Sequence, residues 1–563
     1  MNRHGSVRLA WSCICGVLVA ITIWFVSRSG PLLTPDSMSY VGAAHALAEQ
    51  RQLRVPVGTW DAADSTMVLK QFPPGYPALL AAALHAGVTS ASVVRALNAA
   101  AAFALVALGV WLCSAATNDS WPVRLAAPVM ILAVRAMPTA LASAWSEPLF
   151  LVAVVTTLLL MVRYPAKSWT YGTTAALGNA VRYAGVSLLL SAVTWAMWEV
   201  YTRQASLETD ASRVGAAHVV RRQRIAQAIG AAVIAVTPGA LFNGWWLWRA
   251  RHFGVQTPVA TTAWTGNLPA AVGEGIRTVS AQLVPLSTAL TAWVRVDVAC
   301  VLLVGVAALI VQALRRTRRA SASAVPAHNC APRTILAALT IAVSYAGMLV
   351  YARLFVGGSI PFDDRLLAPL VLMGGIATLI ALHIWSRQAT RAARRGTAAA
   401  FACWIAAAAW QSFADVRSLL DDRDDYGSDY WTDTPAAVWL RTNGRTHALF
   451  SNDAVATYFI TGRPSRMVPN TFRSTTASDF LERLRASGGV LIEYSMPLED
   501  MVDARELARQ TGLCIVVTSE VGTVWRVPTG PMELCTTGAD SVRSPEVPSP
   551  SAPTLPAPGR KSP

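Results

Sequence analysis

The chain has 563 residues, with 47 Lys and Arg against 32 Asp and Glu, for a net charge of +15. Charged residues make up 14% of it and hydrophobic residues 53%, whereas a soluble globular domain carries about 25% charge. Together with a mean hydropathy of +0.41, this excludes a soluble enzyme, a disordered chain and a disulfide scaffold, and implies a polytopic membrane protein. The basic residues fall in short clusters between apolar runs. That pattern orients a protein in a lipid bilayer and argues against nucleic acid as a partner.

A short basic N-terminus precedes the apolar run 9–26. A signal peptide would have an apolar core of about 7–15 residues and a small-residue cleavage site. This run is longer, and 27–30 lacks an A-x-A pattern, so it reads as an uncleaved first span. Runs of near-spanning length follow at 92–114, 122–138, 146–162, 183–200, 225–248, 296–314, 334–354, 366–385 and 398–413. The loops 203–224, 315–333 and 387–395 hold five, five and four arginines. All three are expected on the cytoplasmic side. Residues 163–167 look cytoplasmic as well, so an even number of crossings must separate them from 203–224. A short helix at about 169–181 and a second from Tyr183, turning near 179–183, satisfy that parity. The expected fold is an α-helical polytopic membrane protein of about eleven spans, N-terminus cytoplasmic and C-terminus extracytoplasmic.

This leaves outer loops at 27–91, 249–295 and 355–365, and an outer tail from Ala414. Residues 1–413 form the membrane domain. Residues 414–537 form a small α/β domain behind an acidic linker, with strands at 448–452, 490–494, 514–520 and 523–527 and helices at 454–461, 478–486 and 499–511. Residues 538–563, rich in Pro and Ser, read as a disordered tail. Of eight cysteines, Cys514 and Cys535 fall in the outer domain, where a disulfide between them would persist. No C-x-x-C or His cluster suggests zinc.

Candidate chemistry gathers at the outer ends of the spans. Asp36 follows Pro35 in the first outer loop, where a helix with an apolar stripe of Tyr40, Ala43, Ala44 and Leu47 is expected to lie on the membrane. Asp36 is either an acid available for proton transfer or a plain partner of that helix's dipole. The loop closes with a rigid Pro-rich corner containing Lys70, Phe72, Pro73, Pro74, Tyr76 and Pro77. Glu147 opens one span, Arg182 sits at the expected hairpin turn, and Asp363, Asp364 and Arg365 precede another. Charges at membrane depth are costly. They either carry function or form ion pairs between helices, such as Glu147 with Arg182 or Arg365.

These segments, in order, resemble the GT-C membrane glycosyltransferases. Pro35-Asp36-Ser37-x-x-Tyr40 resembles the start of the family's first outer loop. Phe72-Pro-Pro-Gly-Tyr-Pro-Ala-Leu-Leu80 is similar to the proline-rich segment before the second membrane element. Ser146-Glu-Pro-Leu-Phe150, Val181-Arg182-Tyr183-Ala-Gly-Val186 and Asp364-Arg365-Leu-Leu-Ala-Pro369 match further short stretches, and Ser451-Asn452 with Thr461-Gly462-Arg463 resembles the outer domain of bacterial members. The nearest branch resembled is the bacterial dolichyl-phosphate-mannose-mannosyltransferase and aminoarabinose-transferase group.

The resemblance implies transfer of one sugar from a polyprenyl-phosphate donor at the outer face of the inner (plasma) membrane, by an inverting-type reaction. It implies Asp36 as general base and Arg182 or Arg365, with Lys70 within reach, facing the donor phosphate. Glu147 would orient an arginine, and Tyr40 and Tyr76 would line the sugar pocket. Many members carry a second acid after the first-loop aspartate; here it is Ser37. Neither Asp36-Ser-Met nor Asp61-Ala-Ala-Asp64 gives the D-x-D or E-x-D spacing that some members use for a metal, so a metal-independent mechanism without cofactor is favoured. Asp422-x-Asp424 only faintly resembles a calcium loop. The acceptor stays open between protein, lipid and glycan of the cell envelope. The rival readings are a transporter or flippase of lipid-linked glycan, and a structural membrane subunit whose outer domain binds partners.

Overall fold

In an apolar medium every backbone polar group must be satisfied within its own segment, so long Ala-, Leu- and Val-rich runs fold as helices. The computed structural model describes residues 3–212, 217–252, 268–285, 292–321, 330–355, 360, 362–421, 425–469, 474–495 and 512–528. These divide into two units, Met1–Pro56 with Met67–Gly427, and Val57–Thr66 with Ser428–Pro563. The expected helix at 499–511, the tail 538–563, Cys535, Asp422 and Asp424 lie outside the described residues, as does much of the loops 249–295 and 355–365.

The first unit is helical. In chain order it contains α1 (Arg3–Val26), α2 (Pro35–Gln50), α3 (Gly75–His85), α4 (Ser90–Ala116), α5 (Trp121–Leu132), α6 (Met137–Ala142), α7 (Glu147–Arg163) and α8 (Ser168–Val181). It continues with α9 (Val186–Ser212), α10 (Ala217–His252), α11 (Leu268–Leu283), α12 (Ala292–Ser321), α13 (Cys330–Phe355), α14 (Asp364–Ser386) and α15 (Arg391–Asp421). A two-stranded ribbon, β1 (Arg54–Val55) with β3 (Met67–Val68), closes the first loop. Among the described residues, eight helices are long and apolar enough to cross a membrane: α1, α4, α9, α10, α12, α13, α14 and α15. Val301, Val304 and Val343 are each at least 70% exposed, as side chains facing lipid would be.

The other three expected spans are shorter. Helix α7, at 17 residues, rises about 25 Å, less than the ~30 Å of a bilayer core. Helix α8 has 14 residues and ends where the expected turn fell. The run 122–138 is broken between α5 and α6. Gln282 of α11 satisfies the break, its Oε1 accepting from Arg135 N at 2.8 Å and its Nε2 donating to Ala133 O at 2.6 Å. Leu105, Val154, Val155, Leu188, Ile335, Ile341 and Ile376 are fully buried where α4, α7, α9, α13 and α14 pack together.

Helix α2 differs from an amphipathic helix resting on a surface. All of Ser37–Ala44 is buried, not one stripe of it. Small residues allow this: a Cβ on Gly42 would lie 2.3 Å from Pro56 Cδ.

At the opposite end of the bundle, near the arginine-rich loops, Glu199 is 1% exposed. It takes Arg203 of α9 at 2.6 Å and Arg333 of α13 on the same oxygen. Asp119, in the α4–α5 turn, is held by Arg8 at 2.6 Å and Arg124 at 2.8 Å.

The second unit contains β2 (Val57–Thr59), α16 (Asp429–Thr432), α17 (Pro435–Thr442), β4 (Leu449–Ser451), α18 (Ala454–Thr461), β5 (Ser465–Met467), α19 (Ser474–Ala486), β6 (Val490–Tyr494), β7 (Cys514–Thr518) and β8 (Gly522–Arg526). Its sheet runs β2-β5-β4-β6-β8-β7. The first four strands are parallel, and β8 is antiparallel to both β6 and β7. Asp453 caps α18, accepting from Val455 N and Ala456 N, and Phe450, Phe480, Leu484 and Leu491 fill the core against α19. The edge strand β2 comes from the loop between α2 and α3. Arg466 and Arg483 donate to the Ala63 and Ala62 carbonyls at 2.8 and 2.6 Å, and Trp60 meets Phe480 edge-on. Cys514 is disulfide-bonded.

Candidate active site

Four charged side chains from four helix ends converge in the first unit. Asp36 lies in the first turn of α2, Glu147 is the first residue of α7, Arg365 is the second of α14, and Arg182 ends α8. Local chemistry fixes each end. Pro35 starts α2, and Thr34 N donates to Ser37 Oγ at 3.0 Å. Pro148 occupies the second position of α7. Asp363 caps α14, accepting from Leu366 N at 2.7 Å. Arg182 is extended, at φ −151° and ψ 135°, and breaks the helix there. Gly75 and Gly185 press on the same spot: a Cβ on either would lie 2.4 Å from Ala180 O or 2.2 Å from Asn179 N.

The charges form a continuous array. Arg365 Nη2 is 2.7 Å from Asp36 Oδ2, and its Nε is 2.9 Å from Glu147 Oε1. Glu147 also pairs with Arg182. The Arg365 guanidinium lies over the Trp145 ring, 4.6 Å from its centroid, and Trp145 Nε1 donates to Thr34 Oγ1 at 2.6 Å. Two carboxylates and two guanidiniums cancel. Three helix N-termini face the array, each equivalent to roughly half a positive charge, against the one further carboxylate of Asp363, which caps α14, so the balance stays slightly positive and can take a further anion. A small pocket at the array is lined by Glu147, Arg182, Tyr345 and Arg365 together with Met137, Phe150 and Leu151. Among the described residues, no three His, Cys, Asp or Glu side chains are grouped to hold a metal.

The array gathers Asp36, Glu147, Arg182 and Arg365 from the residues singled out in the sequence. Both ion-pair alternatives for Glu147 occur together. Tyr40 joins through Ser146, whose Oγ is 2.8 Å from the Tyr40 hydroxyl. Burial, reinforced by the Glu147 carboxylate, pushes the Tyr40 hydroxyl above the ordinary phenol range, so it stays neutral. Tyr76 packs edge-on behind Tyr40, with ring centroids 5.1 Å apart, and is fully buried, its hydroxyl without a hydrogen-bond partner among the described residues. Lys70 is exposed. Its carbonyl accepts from the Tyr183 hydroxyl at 2.9 Å, which ties its main chain to the residue after Arg182. Trp145, Ser146 and Tyr345 were not singled out as site residues in the sequence. Trp145 and Ser146 immediately precede Glu147, which was the available signal; Tyr345 lies inside an apolar span and gave none.

No family model matches the chain, and no curated protein matches it in sequence. Solved structures match its fold. Arabinofuranosyltransferase AftD from Mycobacteria aligns over 92% of this chain and 40% of its own, at 16% identity and a TM-score of 0.50. The chain shares the fold of this arabinofuranosyltransferase. ArnT from Cupriavidus metallidurans, solved with undecaprenyl phosphate, aligns over 92% of this chain and 99% of its own, at 13% identity and a TM-score of 0.49. The Archaeoglobus fulgidus oligosaccharyltransferase, solved with a tethered acceptor peptide, aligns over 85% of this chain and 69% of its own, at 12% identity and a TM-score of 0.45. In this fold the array lies at the helix ends away from the arginine-rich loops. Helix α14 starts with it and runs towards Arg387; α9 starts four residues after Arg182 and runs towards Arg203.

Proposed function

We propose that the chain transfers a sugar from a polyprenyl-phosphate donor to an acceptor at the extracytoplasmic face of the plasma membrane. The observation that carries this reading is the four-charge array, set at three helix N-termini. An acid beside two guanidiniums is the equipment such a transfer needs, because polyprenyl phosphate is itself a good leaving group. Asp36 takes the proton of the acceptor hydroxyl. The acceptor oxygen forms a bond to the anomeric carbon while the bond from that carbon to the phosphate oxygen breaks, its electron pair leaving with polyprenyl phosphate. Arg365 and Arg182 hold the phosphate, which an arginine fork binds in bidentate fashion. Glu147 aims both arginines, Tyr40 and Tyr76 support the sugar pocket, and Lys70 lies at its rim. No metal takes part in this scheme.

In this reading the N-terminus and the arginine-rich loops face the cytoplasm. Residues 1–413 perform the transfer, and 414–537 form the outer domain that receives the acceptor. The AftD likeness supports a sugar transfer in kind, and the array supports it in mechanism, since a fold alone does not imply a function.

The test uses the full chain in nanodiscs with a panel of polyprenyl-phosphate sugars and an envelope extract as acceptor. Release of polyprenyl phosphate should require acceptor, and Asp36→Asn should lower it by about 10²–10⁴-fold at unchanged expression. Undiminished release by Asp36→Asn would remove Asp36 from the mechanism. Sugar flux across the bilayer without bond cleavage would replace transfer by transport.

A further inference from the structure

The two carboxylates on Arg365 are not equivalent. Its Nε side meets Glu147, whose side chain is 5% exposed and which also holds Arg182. Its Nη2 meets Asp36, whose side chain is 26% exposed. The inner contact is dry and shared, the outer one wet and single. Partly exposed ion pairs are weak, so the Asp36 contact is the one an incoming anion can displace. Stacking on Trp145 and the attraction of the Glu147 carboxylate, 2.9 Å from Nε, hold the guanidinium in place when that contact opens. The guanidinium also stands against Asp36 Oδ2 and so blocks an acceptor hydroxyl from approaching that oxygen.

We infer that Arg365 is an exchange residue: it masks Asp36 until the donor phosphate takes its Nη2 edge, and the donor thereby frees the base that attacks on its behalf. This deepens the proposed transfer and rests on that reading. The sequence of events balances. Donor oxygen replaces Asp36 Oδ2 on Arg365; the freed Oδ2 accepts the acceptor's proton; the acceptor oxygen bonds the anomeric carbon; and the bond to phosphate breaks with its electron pair on phosphate. The extra negative charge on the departing phosphate keeps Arg365 engaged until the lipid leaves, when the arginine returns to Asp36 and its proton is released. Donor must therefore bind before acceptor is activated, which guards the base against unproductive proton transfer.

The inference makes a prediction that a purely supporting role would not: removing the charge of Asp36 should tighten donor binding while abolishing transfer. The probe is polyprenyl monophosphate, titrated by tryptophan fluorescence into the full chain in phosphatidylcholine nanodiscs. Asp36→Asn, nearly isosteric, should bind it roughly two- to fivefold more tightly than wild type, the worth of one partly exposed pair. Arg365→Gln should bind it at least about tenfold more weakly, having lost a charge-assisted contact. Asp36→Ser, a second uncharged variant, should match Asp36→Asn. Unchanged or weaker binding by both Asp36 variants, with weaker binding by Arg365→Gln, overturns the exchange and leaves the donor assignment standing. Wild type that does not bind the probe overturns both.

Discussion

The array makes a quantitative demand on Glu147. Its side chain is 5% exposed and joins two arginines from different helices. Replacing it with Gln leaves the guanidiniums of Arg182 and Arg365 facing each other without the charge between them. Removing one partner of a buried pair costs about 3–5 kcal/mol, because the charge left behind is desolvated and uncompensated. Arg182→Gln strands Glu147 in the same way, though Arg365 still reaches it, so its cost belongs at the lower end. The double variant, Glu147→Gln with Arg182→Gln, removes both charges and should lose much less than the sum of the singles. A coupling of about 1–3 kcal/mol is expected for contacting residues. The Glu147–Arg365 contact is absent from both Glu147→Gln and the double variant, so it cancels from the coupling. Equilibrium unfolding in mild detergent, followed by the fluorescence of the 20 tryptophans, measures all four corners. Strict additivity, or singles within about 0.5 kcal/mol of wild type as for ordinary surface changes, would refute the claim that this array holds α7, α8 and α14 together.

Gly75→Ala should destabilise by about 1–3 kcal/mol through overpacking, since its Cβ would meet Ala180 O at 2.4 Å, whereas Gly347→Ala, with nothing within 4 Å, should stabilise by about 0.5–1 kcal/mol; the same unfolding assay reads both. Burial raises the Asp119 carboxyl, but hydrogen bonds and charge from Arg8 and Arg124 outweigh it and hold the group below its ordinary range. A depressed folded value means that its stabilisation is complete above the unfolded carboxylate value of about 4 and is lost as pH falls through the folded value. The stability gap between wild type and Asp119→Asn should therefore narrow below about pH 4; an unchanged gap from pH 7 to pH 3 refutes that. In the second unit, Gly58→Ala would put a Cβ 2.5 Å from Asp64 O and should release β2 from the sheet, seen as faster amide exchange at Val57–Thr59 with β4 and β6 unchanged.

Some of this was legible in the chain and some was not, for physical reasons. The break at Arg182 followed from charge parity, because loop charge is written locally and span length is fixed by the bilayer. The ion pairs of Glu147 were legible as alternatives, because a charge at membrane depth must find a partner. That both pairs form on one oxygen was not, since this needs three helix ends to meet. The interruption between α5 and α6 was not read from the sequence, although Arg135 and Pro138 lie at it. The rest of the run 122–138 is apolar but for Arg124, and what makes the break tolerable is Gln282, almost 150 residues away. Strand β2 was equally hidden. Three residues in a Gly- and Pro-bearing loop show no alternation to read, and their partner, Ser465–Met467, is some 400 positions further on. Local signals are written in local sequence; pairings across the whole chain are not.

Ser37 joins these levels. The resemblance leads one to expect a second acid at this position, and the serine instead accepts a hydrogen bond from Thr34 N and closes the first turn of α2. It is fully buried. An acid there could cap the helix as well, but its charge would stand beside Asp36 with both guanidiniums already committed. The array as found holds two carboxylates against two arginines, with Asp363 already offsetting one helix end as the cap of α14. A further carboxylate at position 37 would cancel what remains of the positive potential and would compete with an anionic ligand for Arg365. With serine, the helix start is satisfied without charge, and the negative charge that completes the site is left for a ligand to bring.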